Sequence, residues 1–241
     1  MIRTGFRVFL ASLGVLSCWA QAAGTGQISG TVVDESGQPV ELAFVSITRF
    51  PYNPKEGPAS VGYTTAKDGK FTFTGLGGAT YSACVYTALQ RGFLDTCEWR
   101  KQTDLALKDG ASATGVVLKI EKGAQVTFEV SDPQGLKAAA DSAAAVPIAH
   151  FGLVSDIGSH HYGRFYYSQD GKHTYILNVP FGRTMSVRVV PVSVSVTDSS
   201  GRSIATETVV PATAFTLSKT DAVKKITLSV APAAVKQGQQ D

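Results

Sequence analysis

The sequence predicts an all-β chain, arranged as two tandem antiparallel β-sandwiches of about seven strands each. Three observations predict it. Apolar side chains recur at every second position in short runs, as at Ile28 and Val32 or Val126, Phe128 and Val130. That is the period of a half-buried strand. Turns rich in Gly, Pro and Asp separate these runs at intervals near ten residues, the rhythm of a sandwich. The second half also repeats the order of the first: Val126 to Val130 followed by Ser131-Asp-Pro-Gln-Gly135 echoes Ile28 to Gly37.

Each element follows in turn. Residues 27–34 alternate with Ile28, Gly30 and Val32 on one face, and Ser36-Gly37-Gln38-Pro39 turns the chain where φ must be constrained. Ala43, Val45 and Ile47 line the next strand. Three prolines, Pro51, Pro54 and Pro58, make 50–59 an irregular surface loop. Residues 61–65 and 70–74 are expected to pair as a hairpin across Lys67-Asp68-Gly69, with Phe71 and Phe73 in the core. A strand at 81–86 follows, and Val116, Leu118 and Ile120 form the last strand of this half. Beyond a short join at 120–124, residues 162–167 and 173–179 flank a second turn at 168–172. Residues 185–190, 192–197 and 226–230 supply further strands. Ala138 to Ala145 favours a loop or one helical turn, and 232–241 is polar and expected to be disordered.

The chain start reads as a targeting segment. Arg3 and Arg7 precede an apolar run at 8–19, too short to span a bilayer, and Ala20-Gln21-Ala22 offers a small-x-small cleavage site. The expected organisation is therefore a signal peptide at 1–22, a first sandwich at 23–120, a second at 121–231 and the tail. Cys18 keeps an alternative open, because Val15-Leu16-Ser17-Cys18 loosely fits a lipoprotein processing box. No later segment is long and apolar enough to be a membrane helix. The expected location is exported, periplasmic or extracellular. The chain carries 22 basic and 19 acidic residues, two of the arginines lying in the leader. That balance gives no electrostatic case for nucleic acid.

After cleavage two cysteines remain, Cys84 and Cys97. An even count in an exported chain reads as one disulfide, with two unpaired thiols as the other reading. A bridge closing a loop of about a dozen residues stabilises by about 3 kcal/mol.

These residues resemble the carboxypeptidase regulatory-like domain of the transthyretin-like, or prealbumin-like, group. The resemblance rests on Ile28-Ser-Gly-Thr-Val32, Asp34-Glu-Ser-Gly-Gln-Pro39, the strand with Ala43, Val45 and Ile47, the run from Thr65 to Leu76, and Gly78-Ala-Thr-Tyr81. It covers residues 26–86 well and extends to about 120; the second half is similar in style only. It implies a seven-stranded, non-catalytic module of the kind appended to peptidases, surface proteins and outer-membrane receptors. The activities of such neighbours do not carry over.

Four features of the sequence bear on chemistry. His160, His161 and His173, with Asp156 or Asp170, are the metal candidates, but adjacent histidines on a strand face opposite ways. Exposed strand-end histidines and no metal or cofactor are the expectation. No Gly-x-Ser-x-Gly elbow marks a hydrolase, so no catalytic residue is assigned. No phosphate loop is present, since Gly75-Leu-Gly-Gly78 joins strands. The segment from Cys84 to Trp99 places Tyr86, Phe93 and Trp99 beside the tethered loop. One reading makes these aromatics a pinned binding surface for a sugar ring or a protein hot spot. The other has Phe93 and Leu94 cap the sandwich while Trp99 packs on the bridge. The function expected is an exported, non-catalytic binding or scaffolding module with an unknown protein or glycan as partner. A carbohydrate-binding module is the alternative, and a small hydrolase or metalloprotein comes after it.

Overall fold

The computed structural model describes residues 24–52, 59–136, 149–191, 194–204 and 214–232. The leader, the alanine-rich stretch at 138–145 and the tail beyond Pro232 lie outside the described residues.

Seventeen strands are described. Seven build the first sandwich: β1 (Gly26–Val33), β2 (Phe44–Phe50), β3 (Ser60–Thr64), β4 (Lys70–Leu76), β5 (Ala79–Tyr86), β6 (Thr103–Leu107) and β7 (Ser112–Lys119). They form two sheets, ordered β4-β1-β7 and β3-β2-β5-β6. The period-two stripes explain the core. Ile28, Val32, Phe71, Phe73 and Leu118 project from one sheet against Val45, Ile47, Tyr81 and Val85 from the other. Each such side chain, removed from water, contributes about 1.5–3 kcal/mol. Gly30 occupies an inward position because a Cβ there would lie 1.9 Å from the Val116 carbonyl oxygen.

The second sandwich comprises β8 (Ala124–Ser131), β9 (Ala149–Ser155), β10 (His160–Tyr162), β11 (Arg164–Gln169), β12 (Lys172–Val179), β13 (Thr184–Pro191), β14 (Val194–Asp198), β15 (Ser203–Ile204), β16 (Phe215–Thr216) and β17 (Val223–Pro232). Its sheets run β11-β12-β8-β17-β14-β15 and β10-β9-β13-β16. Val126, Phe128, Val130 and Leu177 meet Phe151, Leu153, Val187 and Val189 between them.

The two sandwiches share a wiring detail. In each, the first strand lies between an antiparallel neighbour and the last strand, and the last strand runs parallel to it: β4-β1-β7 and β12-β8-β17. Each sandwich is thus antiparallel apart from one parallel pair. A turn also recurs. Asp34 Oδ1 accepts from the Ser36 and Gln38 backbone N–H groups, and Asp198 Oδ1 accepts from those of Ser200 and Arg202. Asp132 Oδ1 accepts from the Leu136 N–H in the same way. Gly37, Gly135 and Gly201 follow in the left-handed region, each at position i+3.

Two local expectations are corrected. Residues 61–74 do not pair with each other: β3 pairs with β2 and β4 with β1, so the Asp68-Gly69 turn carries the chain from one sheet to the other. Phe71 and Phe73 must face the core from the sheet of Ile28, which a hairpin with β3 would not allow. Residues 162–167 are likewise not one strand. Gly163 separates β10 from β11, and these belong to different sheets. The hairpin at 164–179 does pair, with Gln169 opposite Lys172 across Asp170-Gly171. Both turn residues have positive φ, as a type I′ hairpin turn requires.

Candidate functional site at the joint between the sandwiches

The segment after β5 carries the chemistry. A disulfide joins Cys84 to Cys97, with Cα atoms 5.3 Å apart. It pins a single helical turn. Asp95 caps the turn, its Oδ1 accepting from the Cys97 and Glu98 backbone N–H groups at 3.0 and 3.2 Å. Arg100, with φ 54°, ends it in the left-handed region. The Lys101 N–H then reaches back to the Thr96 carbonyl and the Arg100 N–H to that of Cys97. Trp99 and the Asp95 carboxylate are therefore held in fixed directions, and both point at the second sandwich.

Across the joint, the Trp99 indole N–H donates to the Asn178 carbonyl at 3.0 Å. The Asn178 side-chain amide donates in turn to the Leu89 and Phe93 carbonyls at 2.9 and 3.1 Å. Arg164 bonds the Asp95 carboxylate and lies over the Tyr86 ring. The Trp99 ring packs against the second core and stacks on His161. The linker is equally tight. Gly123 donates to the Gly92 carbonyl, and a Cβ on Gly123 would lie 2.4 Å from Leu94 Cδ2 and 2.5 Å from the Val179 carbonyl oxygen.

Of the predicted aromatics, Phe93 is buried in the first core, and its neighbour Leu94 is buried too. Lys122 Nζ sits 3.8 Å above the Phe93 ring. Tyr86 is half-buried, 4.9 Å from Phe44. Trp99 packs on the second sandwich.

An open cleft of about 430 Å³ remains beside this joint. The first sandwich lines it with Glu98, Trp99, Arg100 and Lys101. The second contributes Ile157 and His161 from the β9–β10 region, and Phe181 and Arg183 from the β12–β13 loop. Lys101 pairs with Glu121, and Arg183 with Asp156 at 3.2 Å.

The histidines correct an expectation. His160 is exposed, but His161 and His173 are buried, at 4% and 5% exposure. Burial and the neighbouring Arg188 guanidinium hold His160 below its ordinary pKa. His161 faces Trp99, with Glu98 Oε1 3.8 Å from its Nδ1. His173 faces elsewhere, so the three do not converge. Among the described residues no three His, Cys, Asp or Glu side chains gather as metal ligands.

His173 belongs to a chain of groups that sequence reasoning missed. Ser168 Oγ lies 2.9 Å from its Nδ1, and Asp132 Oδ2 lies 3.0 Å from its Nε2. Hydroxyl, imidazole and carboxylate are thus in line. Ser168 and His173 are direct cross-strand partners on β11 and β12, and the Asp132 side chain is fully buried in the turn after β8. None of the three lines the cleft at the joint. The arrangement ties the β11–β12 hairpin to that turn, where the Asp132 N–H also donates to the Gly171 carbonyl.

Residues 27–93 match the family model of the carboxypeptidase regulatory-like domain. No curated protein matches the chain. Among solved structures, the Bacillus anthracis TIE protein is similar at 17% identity and a TM-score of 0.33, over 87% of this chain and 34% of that one. A streptococcal ancillary pilin is similar at 16% identity and a TM-score of 0.39, over 86% of this chain and 63% of that one. The minor pilin of Streptococcus agalactiae is similar at 10% identity and a TM-score of 0.32, over 90% and 100%. The chain thus spans about a third of the first of these proteins and less than two thirds of the second.

Proposed function

From the premise that residues 27–93 form a carboxypeptidase regulatory-like domain, we propose that this chain is an exported, non-catalytic accessory module that binds or scaffolds. One observation carries the reading. The disulfide-pinned turn of the first sandwich is fastened onto the second by Trp99, Asn178 and the Asp95–Arg164 pair. Such a joint converts two sandwiches into one stiff support and leaves strand edges and loops for another molecule. A disulfide also fits an oxidising compartment, which agrees with the leader-like chain start. Among the described residues no helix is long and apolar enough to cross a membrane.

The partner is another protein or a glycan. The glycan reading draws on exposed Tyr162, Tyr166 and Tyr167. Tyr166 and Tyr167 meet edge to face at 77°, not as the coplanar platform that stacks a sugar ring, so the protein partner is favoured.

Two measurements test the proposal. Cell fractionation should place the chain outside the cytoplasm, with Ala23 at its N-terminus. Assays with activated esters and peptides should show no turnover that Ser168→Ala or His173→Gln abolishes. A cytoplasmic chain, or turnover depending on those residues, overturns the reading.

A further inference from the structure

The cleft at the joint is chemically uneven. Its walls are apolar, with Trp99, Phe181 and Ile157. Three cations, Arg100, Lys101 and Arg183, stand around them against one lining carboxylate, Glu98. Lys101 and Arg183 have their own carboxylate partners outside the cleft lining, and Arg100 has no ion-pair partner among the described residues. A second observation is independent of charge. His161 lines this cleft, is 4% exposed, and has no hydrogen-bond partner at either ring nitrogen among the described residues. A buried polar group left without a bond destabilises the fold. Such a side chain is retained where something else completes it.

We propose that the cleft binds a small organic carboxylate with an aryl or alkyl body. The volume lies within the usual range of small-molecule sites, roughly 300–1,000 Å³. The body lies against Trp99 and Phe181, removed from water. The carboxylate meets Arg100 and Arg183, whose planar guanidinium groups match its two oxygens. Glu98 on the same rim disfavours a second negative group on the ligand. This inference rests on the cleft alone and stands whether or not the chain serves as a scaffold.

The Trp99 indole reports occupancy. Trp19 and Trp99 are the two tryptophans, so the full chain with Trp19→Phe isolates the signal. Phenylacetate, 3-phenylpropionate and 4-phenylbutyrate would be titrated in turn, each beside its primary amide. The expected result is a saturable change in Trp99 emission with at least one carboxylate. The matching amide should bind at least tenfold more weakly. Arg100→Gln with Arg183→Gln should weaken the carboxylate by a similar factor, with an unchanged circular dichroism spectrum. Both arginines are at the surface. No saturable response to any of the three carboxylates up to about 10 mM, a dissociation constant weaker than about −3 kcal/mol of binding, overturns the proposal. So does an equal response to acid and amide that the arginine variant leaves intact.

Discussion

The indole of Trp99 and the imidazole of His161 stack at 3.6 Å between centroids, 24° from parallel, across the boundary of the two sandwiches. One ring comes from a disulfide-bonded turn and the other from a three-residue strand. Each ring packs against one from the other sandwich. The Trp99→Ala change should therefore destabilise by about 3 kcal/mol, the low end for losing a large aromatic, because Trp99 is only partly buried. Trp99→Phe keeps a ring but loses the bond to the Asn178 carbonyl, at about 1 kcal/mol. Urea unfolding followed by circular dichroism measures both; a Trp99→Phe variant as stable as the parent would remove the special role of the indole N–H.

The bridge should matter beyond its own loop. Replacing Cys84 and Cys97 by Ser should lower stability by about 3 kcal/mol. Hydrogen exchange should also quicken at 176–179 in the second sandwich, because Asn178 holds the Leu89 and Phe93 carbonyls of the tethered segment. Unreduced mass spectrometry should show the two cysteines joined. Faster exchange confined to 84–101 would mean that the joint does not depend on the bridge.

Asp132 and His173 make a buried pair, and replacing Asp132 removes both the contact to His173 Nε2 and the acceptor of the Leu136 N–H. Asp132→Ala should cost about 3–5 kcal/mol. Ser168→Ala, at the exposed end of the same chain, should cost no more than about 1 kcal/mol. Thermal denaturation of the two variants reads the difference. Comparable losses would show that Ser168 is as structural as Asp132.

What the sequence made legible follows from distance along the chain. Period-two stripes at Ile28, Val32, Val45 and Phe71 report burial directly, because strand geometry sends alternate side chains to one face. The bridge between Cys84 and Cys97 was legible from cysteine count. The opposed faces of His160 and His161 followed from the same alternation, one exposed and the other buried. The partners of the buried histidines did not follow. Asp132 is 41 positions from His173, and no local pattern links them. The pairing of β3 and β4 failed for a similar reason: Asp-Gly marks a turn, but only the tertiary demand on Phe71 and Phe73 decides which sheet each strand joins. The aromatics at 86–99 were recognised as a group, while their direction depends on a second sandwich that lies beyond any local window.

Gly123 should tolerate no side chain. A methyl group there meets the Val179 carbonyl oxygen, which is backbone and cannot swing aside, as well as Leu94. Gly123→Ala should cost about 1–3 kcal/mol by overpacking. Adding Leu94→Ala relieves only the side-chain contact, so the double variant should not recover the parent stability. Full recovery in a melting experiment would place the clash at Leu94 alone.

Acid should act late on Asp198. Its carboxylate accepts from the Ser200 hydroxyl at 2.6 Å, from the Ser200 and Arg202 backbone N–H groups, and from the Arg202 guanidinium. These bonds, the Ser200 hydroxyl foremost, lower its pKa from 3.8 to about 2. A depressed folded-state pKa means that the turn gains stability above the ordinary value near 3.8. That gain is lost as pH falls through about 2. Carbon-detected NMR titration should therefore find Asp198 still ionised at pH 3. Ser200→Ala should raise its midpoint toward 3.8, because the largest lowering contribution is gone. Asp34, bonded to Ser36 in the matching turn of the first sandwich, is also lowered, and Ser36→Ala should move it the same way. An Asp198 midpoint near 3.8 in the parent chain would show that the hydroxyl bond does not form in solution.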